Sequence, residues 1–285
     1  MATRYTQQEC LGRLRAETAR GRGLVMAGAG SGICAKFIER GGVDLIGVYN
    51  TGYFRMQGYG SLAGMLPILD SNELVYRMAR QEVLPQVRET PVIVGVNGVD
   101  PLRDMRLYLE DLRHIGVTGV HNFPTVTWFD GQFRRTLEAT GLGYEHEIRM
   151  LQIARELDLL TVGYAFNEED TRRLLTEAAP DVYIFHAGIT AGGSTGDGGA
   201  GSRQDTAERS QRHFEIARKI KPEVILLAHG AAIVDPEDAQ YMLDHTSCDG
   251  VQLGSSIERM AMEQPLEARA TAFKGSRIPA VRNSK

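Results

Sequence analysis

Eight short apolar runs, separated by segments of helical spacing, recur along this chain of 285 residues. They lie at Leu24 to Ala27, Val43 to Asn50, Pro91 to Pro101, Gly116 to Val126, Leu159 to Asn167, Val182 to Phe185, Val224 to Ile233 and Cys248 to Arg259. Most are continuous rather than alternating, as strands covered on both faces must be. Eight strand–helix alternations over this length predict an α/β fold of the (β/α)8, or TIM-barrel, type rather than an open sheet. A hydrophobic content of 42% is enough to fill such a core. The expected organisation is a single barrel domain over 1–285. An extra N-terminal helix at about 6–21, capped by Thr6, either plugs the barrel floor or packs on a neighbour.

In a barrel, the residues just after each strand share one face. Here that face carries Gly28, Gly30, Ser31 and Gly32, then Asn50, Asn97, Asn122, Asn167, His186, His229 and Gly230, and finally Gly254, Ser255 and Ser256. The strand–glycine–helix join at Gly28 to Gly32 exposes backbone N–H groups, which suits a phosphate or carboxylate, though glycines also serve simple tight turns. The turn at Gly254 to Ser256 falls where barrels frequently bind phosphate. Histidine moves protons near neutral pH, so His186 and His229, on neighbouring strands, are acid–base candidates; the alternative is a hydrogen-bonded core role. His114, His146, His213 and His245 fall in helical stretches and read as surface residues. Arg55, Arg134 and Arg135 lie in long excursions and can clamp a carboxylate or stand as solvated charges. Seven of the fourteen residues from Gly188 to Gly201 are glycine, a composition expected of a lid or ligand loop.

The inventory also excludes chemistry. None of the five lysines sits at a strand's C-terminal end, so a Schiff-base mechanism has no candidate, and no Gly-Lys-Ser/Thr phosphate loop is present. Net charge is −4, which argues against nucleic acid or an anionic membrane as partner. No apolar run approaches the roughly 20 residues of a membrane span. Cys10, Cys34 and Cys248 form no Cys-x-x-Cys pair, so neither a disulfide framework nor a zinc site is indicated, and a cytoplasmic location is expected.

The strings GAGSGICAKF, YNTGYFRMQGYGSLAGMLPILDSN, GVDPLRDM, HNFPTVTWFDGQFRRTLEATGLGY, HGAAIVDPEDAQYMLDH and GSSIER resemble the phosphoenolpyruvate-hydrolase-like TIM-barrel family. Members of that group are often labelled phosphonopyruvate hydrolases, and a similar domain forms the C-terminal part of plant tobamovirus-resistance proteins. The resemblance implies an enzyme acting on a small phosphorylated or 2-oxo acid, with a non-catalytic binding barrel as the alternative. Its partner would be a small anionic metabolite, and a homo-oligomer is expected. The wider phosphoenolpyruvate mutase and isocitrate lyase superfamily implies magnesium held by an Asp-x-Asp after strand three. Gly95 and Asn97 stand at those places here, and Asn122 and Phe123 where a further carboxylate is expected after strand four. Neutral amides bind a hard dication poorly, so weak magnesium binding is expected.

Overall fold

The computed structural model describes residues 3–277. Helix α1 (Gln7–Ala19) opens the chain, its first turn closed by reciprocal bonds between Thr6 and Glu9. The strands are β1 (Leu24–Gly28), β2 (Leu45–Val48), β3 (Val92–Gly95), β4 (Gly119–His121), β5 (Leu160–Ala165), β6 (Val182–His186), β7 (Ile225–His229) and β8 (Gly250–Leu253). All are parallel and close into a barrel in chain order, with β8 returning to β1 from Leu24 opposite Gly250 to Ala27 opposite Leu253.

Between the strands lie α2 (Gly32–Arg40), α3 (Asn50–Met56), α4 (Ser71–Met78), α5 (Met105–Ile115), α6 (Gly131–Ala139), α7 (Tyr144–Glu156), α8 (Glu168–Arg173), α9 (Arg203–Ile220) and α10 (Pro236–His245). After β8 comes α11 (Met260–Lys274).

The two faces of each strand build two cores. Leu24, Met26, Leu160, Val162, Ile184 and Leu227 fill the barrel interior, while Val92, Val94, Tyr183, Phe185 and Leu226 pack outward against the helices. Cys10 and Leu14 of α1 join the inner cluster, so this helix closes the barrel floor. Burying one such aliphatic side chain stabilises the fold by about 1.5–3 kcal/mol.

Six of the eight apolar runs overshoot their strands at the C-terminal end, while those starting at Leu24 and Val182 stop one residue short. The expected strand from Pro91 to Pro101 pairs only over Val92–Gly95; Val96 is still fully buried and donates to the His121 carbonyl at 2.9 Å before the backbone turns away. Burial outlasts pairing because the residues after a strand remain under the helical layer. His213 corrects another expectation: it is buried, bonded through Nδ1 to Thr171 Oγ1 at 2.9 Å and stacked on Phe185 at 3.9 Å. It sits on the inward stripe of α9, with Phe214 and Ala217. Helix α11 was not foreseen. None of its residues is buried, and Leu266 and Phe273 are 66% and 67% exposed.

Candidate functional site

At the C-terminal ends of the strands a narrow cavity of about 40 Å³ is lined by polar groups from five elements of the chain. Strands β6 and β7 deliver His186 and His229, which pair at the rim of the sheet. Helix α3, starting directly after β2, delivers Arg55, and a 3-10 turn at Ser61–Met65 delivers Ser61. Gln252 of β8 and the turn residues Gly254 and Ser255 complete the polar wall. Tyr49, Phe123, Trp128, Tyr164 and Ile189, with Leu62 and Met65, supply the apolar remainder.

The two imidazoles lie 4.3 Å apart, centroid to centroid, and nearly perpendicular at 85°. Their backbone partners set opposite tautomers. The His229 Nδ1 stands 2.7 Å from the Gln252 carbonyl, an acceptor only, so this nitrogen carries the proton and Nε2 keeps a lone pair. The backbone N–H of Gly188 donates to His186 Nδ1 at 3.2 Å, so the neutral ring carries its proton on Nε2. One histidine therefore offers the cavity an acceptor and the other a donor. Burial lowers both from the ordinary histidine value, His229 to about 4 and His186 well below its usual range, so both rings are neutral at pH 7. Tyr164 stacks on His229 at 6.0 Å and donates to Gln252 Oε1 at 2.8 Å, holding the wall in place.

Arg55 is buried and its Nε is ion-paired with the carboxylate of Glu258, also fully buried. Its Nη1 lies 3.2 Å from Ser61 Oγ, which in turn is 3.3 Å from Ser255 Oγ. Arg55 Nη2 and Glu258 Oε1 have no partner among the described residues. An unmet buried donor costs roughly 1–3 kcal/mol, a cost that a bound anion removes.

Of the residues predicted for the site, the fold brings Arg55, His186, His229, Gly254 and Ser255 to one cavity, and it places the others elsewhere. Asn50 is consumed by its own loop, donating to the Gly64 carbonyl at 2.6 Å and to Ser71 at 2.9 Å. Asn97 is bridged through its backbone by Asn72 and borders a separate groove with Val99 and Phe133. Asn122 bonds Glu147 at 2.7 Å and the Tyr164 backbone. Arg135 is exposed on α6, and Arg134 pairs with Asp170. Asn167 caps α8.

The glycine turn after β1 is filled from within. A Cβ on Gly30 would strike the Gly52 carbonyl, and one on Gly28 would meet the Glu258 carboxyl at 3.2 Å. Ser31 caps α2, and Gly32 packs on the Glu82 backbone. The expected anion there is the protein's own carboxylate. Gly230 lies tightly against Gly188, joining the loops after β7 and β6, and Ser256 Oγ is buried without a partner among the described residues.

Several lining residues went unread in the sequence. Period-two alternation along Leu160, Val162 and Tyr164, and at Gln252 in β8, would have placed both polar side chains inside the barrel. His121 also escaped notice. It is fully buried between Tyr49 and Tyr164, neither ring nitrogen has a partner among the described residues, and burial lowers it to about 3. Gly192 to Gly196 spells Gly-x-Ser-x-Gly, but it lies in a loop where Ser194 bonds Glu263.

Fold and site together define a (β/α)8 barrel with a histidine- and arginine-lined cleft at the C-terminal ends of its strands. More particularly, the chain belongs to the phosphoenolpyruvate hydrolase-like family, whose profile matches residues 9–275. It is 43% identical over 265 residues to the ToMV susceptible protein tm-1(GCR26) and to the ToMV resistance protein Tm-1(GCR237), both of Solanum lycopersicum. Each match covers 93% of this chain and 35% of the relative, so the chain spans about a third of the length of these curated relatives. Among solved structures, it is similar in fold to a phosphoenolpyruvate phosphomutase from Streptomyces platensis subsp. rosaceus (TM-score 0.62, 15% identity, 96% of this chain and 91% of that one). It is likewise similar to a phosphonopyruvate hydrolase in complex with oxalate and Mg++ (TM-score 0.59, 18% identity, 96% and 92%).

The residues present do not fit a magnesium ion. No Asp or Glu lines the cavity, and no cluster of three or more His, Cys, Asp or Glu among the described residues is placed to hold a metal. A Cβ on Gly95 would lie 2.7 Å from the Phe123 carbonyl and 3.3 Å from the His121 ring, so a carboxylate has no room there.

Proposed function

We propose that this barrel cleaves a bond in a small 2-oxo or phosphorylated acid resembling phosphonopyruvate, at the carbon that bears the acid group. The observation that carries this reading is the pair of histidines with opposite free nitrogens, sharing one cavity with a buried arginine. Arg55 and the hydroxyls of Ser61 and Ser255 hold the acid. The Nε2 lone pair of His229 takes the proton of an attacking water, and the bond's electrons pass into the neighbouring carbonyl. His186 Nε2–H donates to the enolate oxygen so formed, and a proton then returns to carbon. With phosphonopyruvate and water as reactants, the balanced products are pyruvate and phosphate.

About 40 Å³ holds only a few water molecules, so a substrate must displace part of the wall. Ile189 and Thr190 of the Gly188–Gly201 loop are the part of the wall assigned to move. Phosphate and pyruvate release from phosphonopyruvate, and pyruvate release from related 2-oxo diacids, test the reading; affinity without turnover of any of them would overturn it. That outcome would favour the second reading, a binding barrel without chemistry, which the absence of a carboxylate from the cavity wall supports. A homo-oligomer belongs to the proposal as well, supported by the exposed Leu266 and Phe273 of α11, and light scattering checks it.

A further inference from the structure

Resting on the anion-binding reading above, we infer that the Arg55–Glu258 pair stands in for a divalent cation: the site takes a carboxylate end-on through the guanidinium, without metal. The donors dictate this. A guanidinium presents five N–H bonds in a planar fork. Glu258 occupies the Nε side, Ser61 meets Nη1, and Nη2 is buried without a partner among the described residues. The end formed by Nη1 and Nη2 is the part of the fork that fits a carboxylate with two parallel bonds.

Glu258 is a positioning residue in this arrangement. It lies fully buried against Gly28 and Gly52, either of which would crowd its carboxyl group if it carried a side chain, and it fixes which end of Arg55 is left without a carboxylate among the described residues. Arg55 also passes over Gly254, whose added Cβ would sit 3.6 Å from Nη1. Among the described residues it is the sole Lys or Arg in the cavity wall, and the histidines there are neutral. A magnesium ion brought into the same space would be repelled by the guanidinium and would find no carboxylate to hold it. The ligand class is therefore a carboxylate recognised by hydrogen bonds, not one chelated to a metal.

Oxalate is the sharpest probe, because it chelates magnesium strongly. Calorimetric titration of the intact protein with oxalate is expected to give the same Kd, to within about threefold, in EDTA and at a magnesium level too low to deplete free oxalate. Arg55→Lys, which keeps the charge and loses the fork, is expected to weaken binding by about tenfold or more. Removing Arg55 alone strands a buried carboxylate and endangers folding. The double variant Arg55→Gln, Glu258→Gln avoids that and is expected to abolish oxalate binding while retaining a cooperative melt. Oxalate binding only with magnesium, or about tenfold tighter with it, would overturn the inference and leave the anion site intact. Wild-type affinity in the double variant would overturn it as well. Oxalate that binds under neither condition would sink the inference together with the anion-binding reading.

Discussion

The ends of β2, β3 and β4 and the ends of β6, β7 and β8 carry similar numbers of polar residues, yet the two halves of the barrel mouth use them differently. Asn50 spends its side-chain amide on Gly64 and Ser71, and Asn122 on Glu147 and the Tyr164 backbone, all within 3.1 Å, while Asn97 is held only through its backbone by Asn72 and borders a separate groove. His186 and His229 spend one nitrogen each on backbone and leave the other toward the cavity. A polar residue after a strand is thus not a site residue by position alone. For Asn50 and Asn122 the difference is that the protein itself completes their hydrogen bonds, and for Asn97 it is that the residue borders a different groove.

The largest effect that can break this contrast is catalytic. Replacing His229 or His186 by Asn is expected to lower turnover roughly 10²- to 10⁴-fold with the melt preserved. Full turnover in either variant would remove that residue from the mechanism. On the other side, Asn122→Leu is expected to cost about 2–4 kcal/mol in urea unfolding, because it strips a donor from the buried Glu147 carboxyl and an acceptor from the Tyr164 backbone N–H. Unchanged stability there would show that the amides are not structural.

A third effect follows from titration. His229 is held at about 4 by burial, below the ordinary 6.5, so its contribution to stability is full above pH 6.5 and is lost as pH falls from 6.5 to about 4. The loss is about 3 kcal/mol at most, and unfolding of His229→Asn should fall less steeply than wild type over that window. Hydrogen exchange gives a fourth test: amides of Gly188 to Gly201 are expected to exchange faster without ligand than with a bound acid, and equal protection would argue against a lid. Smallest of all, Arg135→Ala is expected to change stability by under about 0.5 kcal/mol and turnover not at all, since the side chain is exposed on α6.

The fold was legible because eight apolar runs with strand length admit few closed arrangements, and continuous burial of Val182 to Phe185 or Ile225 to Ala228 needs cover on both faces. His186, His229, Arg55 and Ser255 were legible because strand ends and the loops after them converge in any such barrel. The fate of each hydrogen bond was not legible. Nothing local to Asn122 reveals that Glu147 of α7 will claim it, and nothing in GAGSG reveals that Glu258, after the last strand, fills the space beneath it. These are contacts between residues far apart in the chain. Helix α11 escaped for a different reason: its apolar residues never meet a core, so no burial pattern marks it among the described residues.

The right angle between the two imidazoles has a stereochemical consequence. A ligand held at Arg55 meets a donor from His186 along one direction and an acceptor from His229 along another, with ring planes 85° apart. Three unlike anchors, reached from one side only, distinguish an object from its mirror image. An acid with a stereocentre next to its carboxylate can therefore satisfy all three in one hand only, and the barrel is expected to bind one enantiomer of a 2-hydroxy acid in preference to the other.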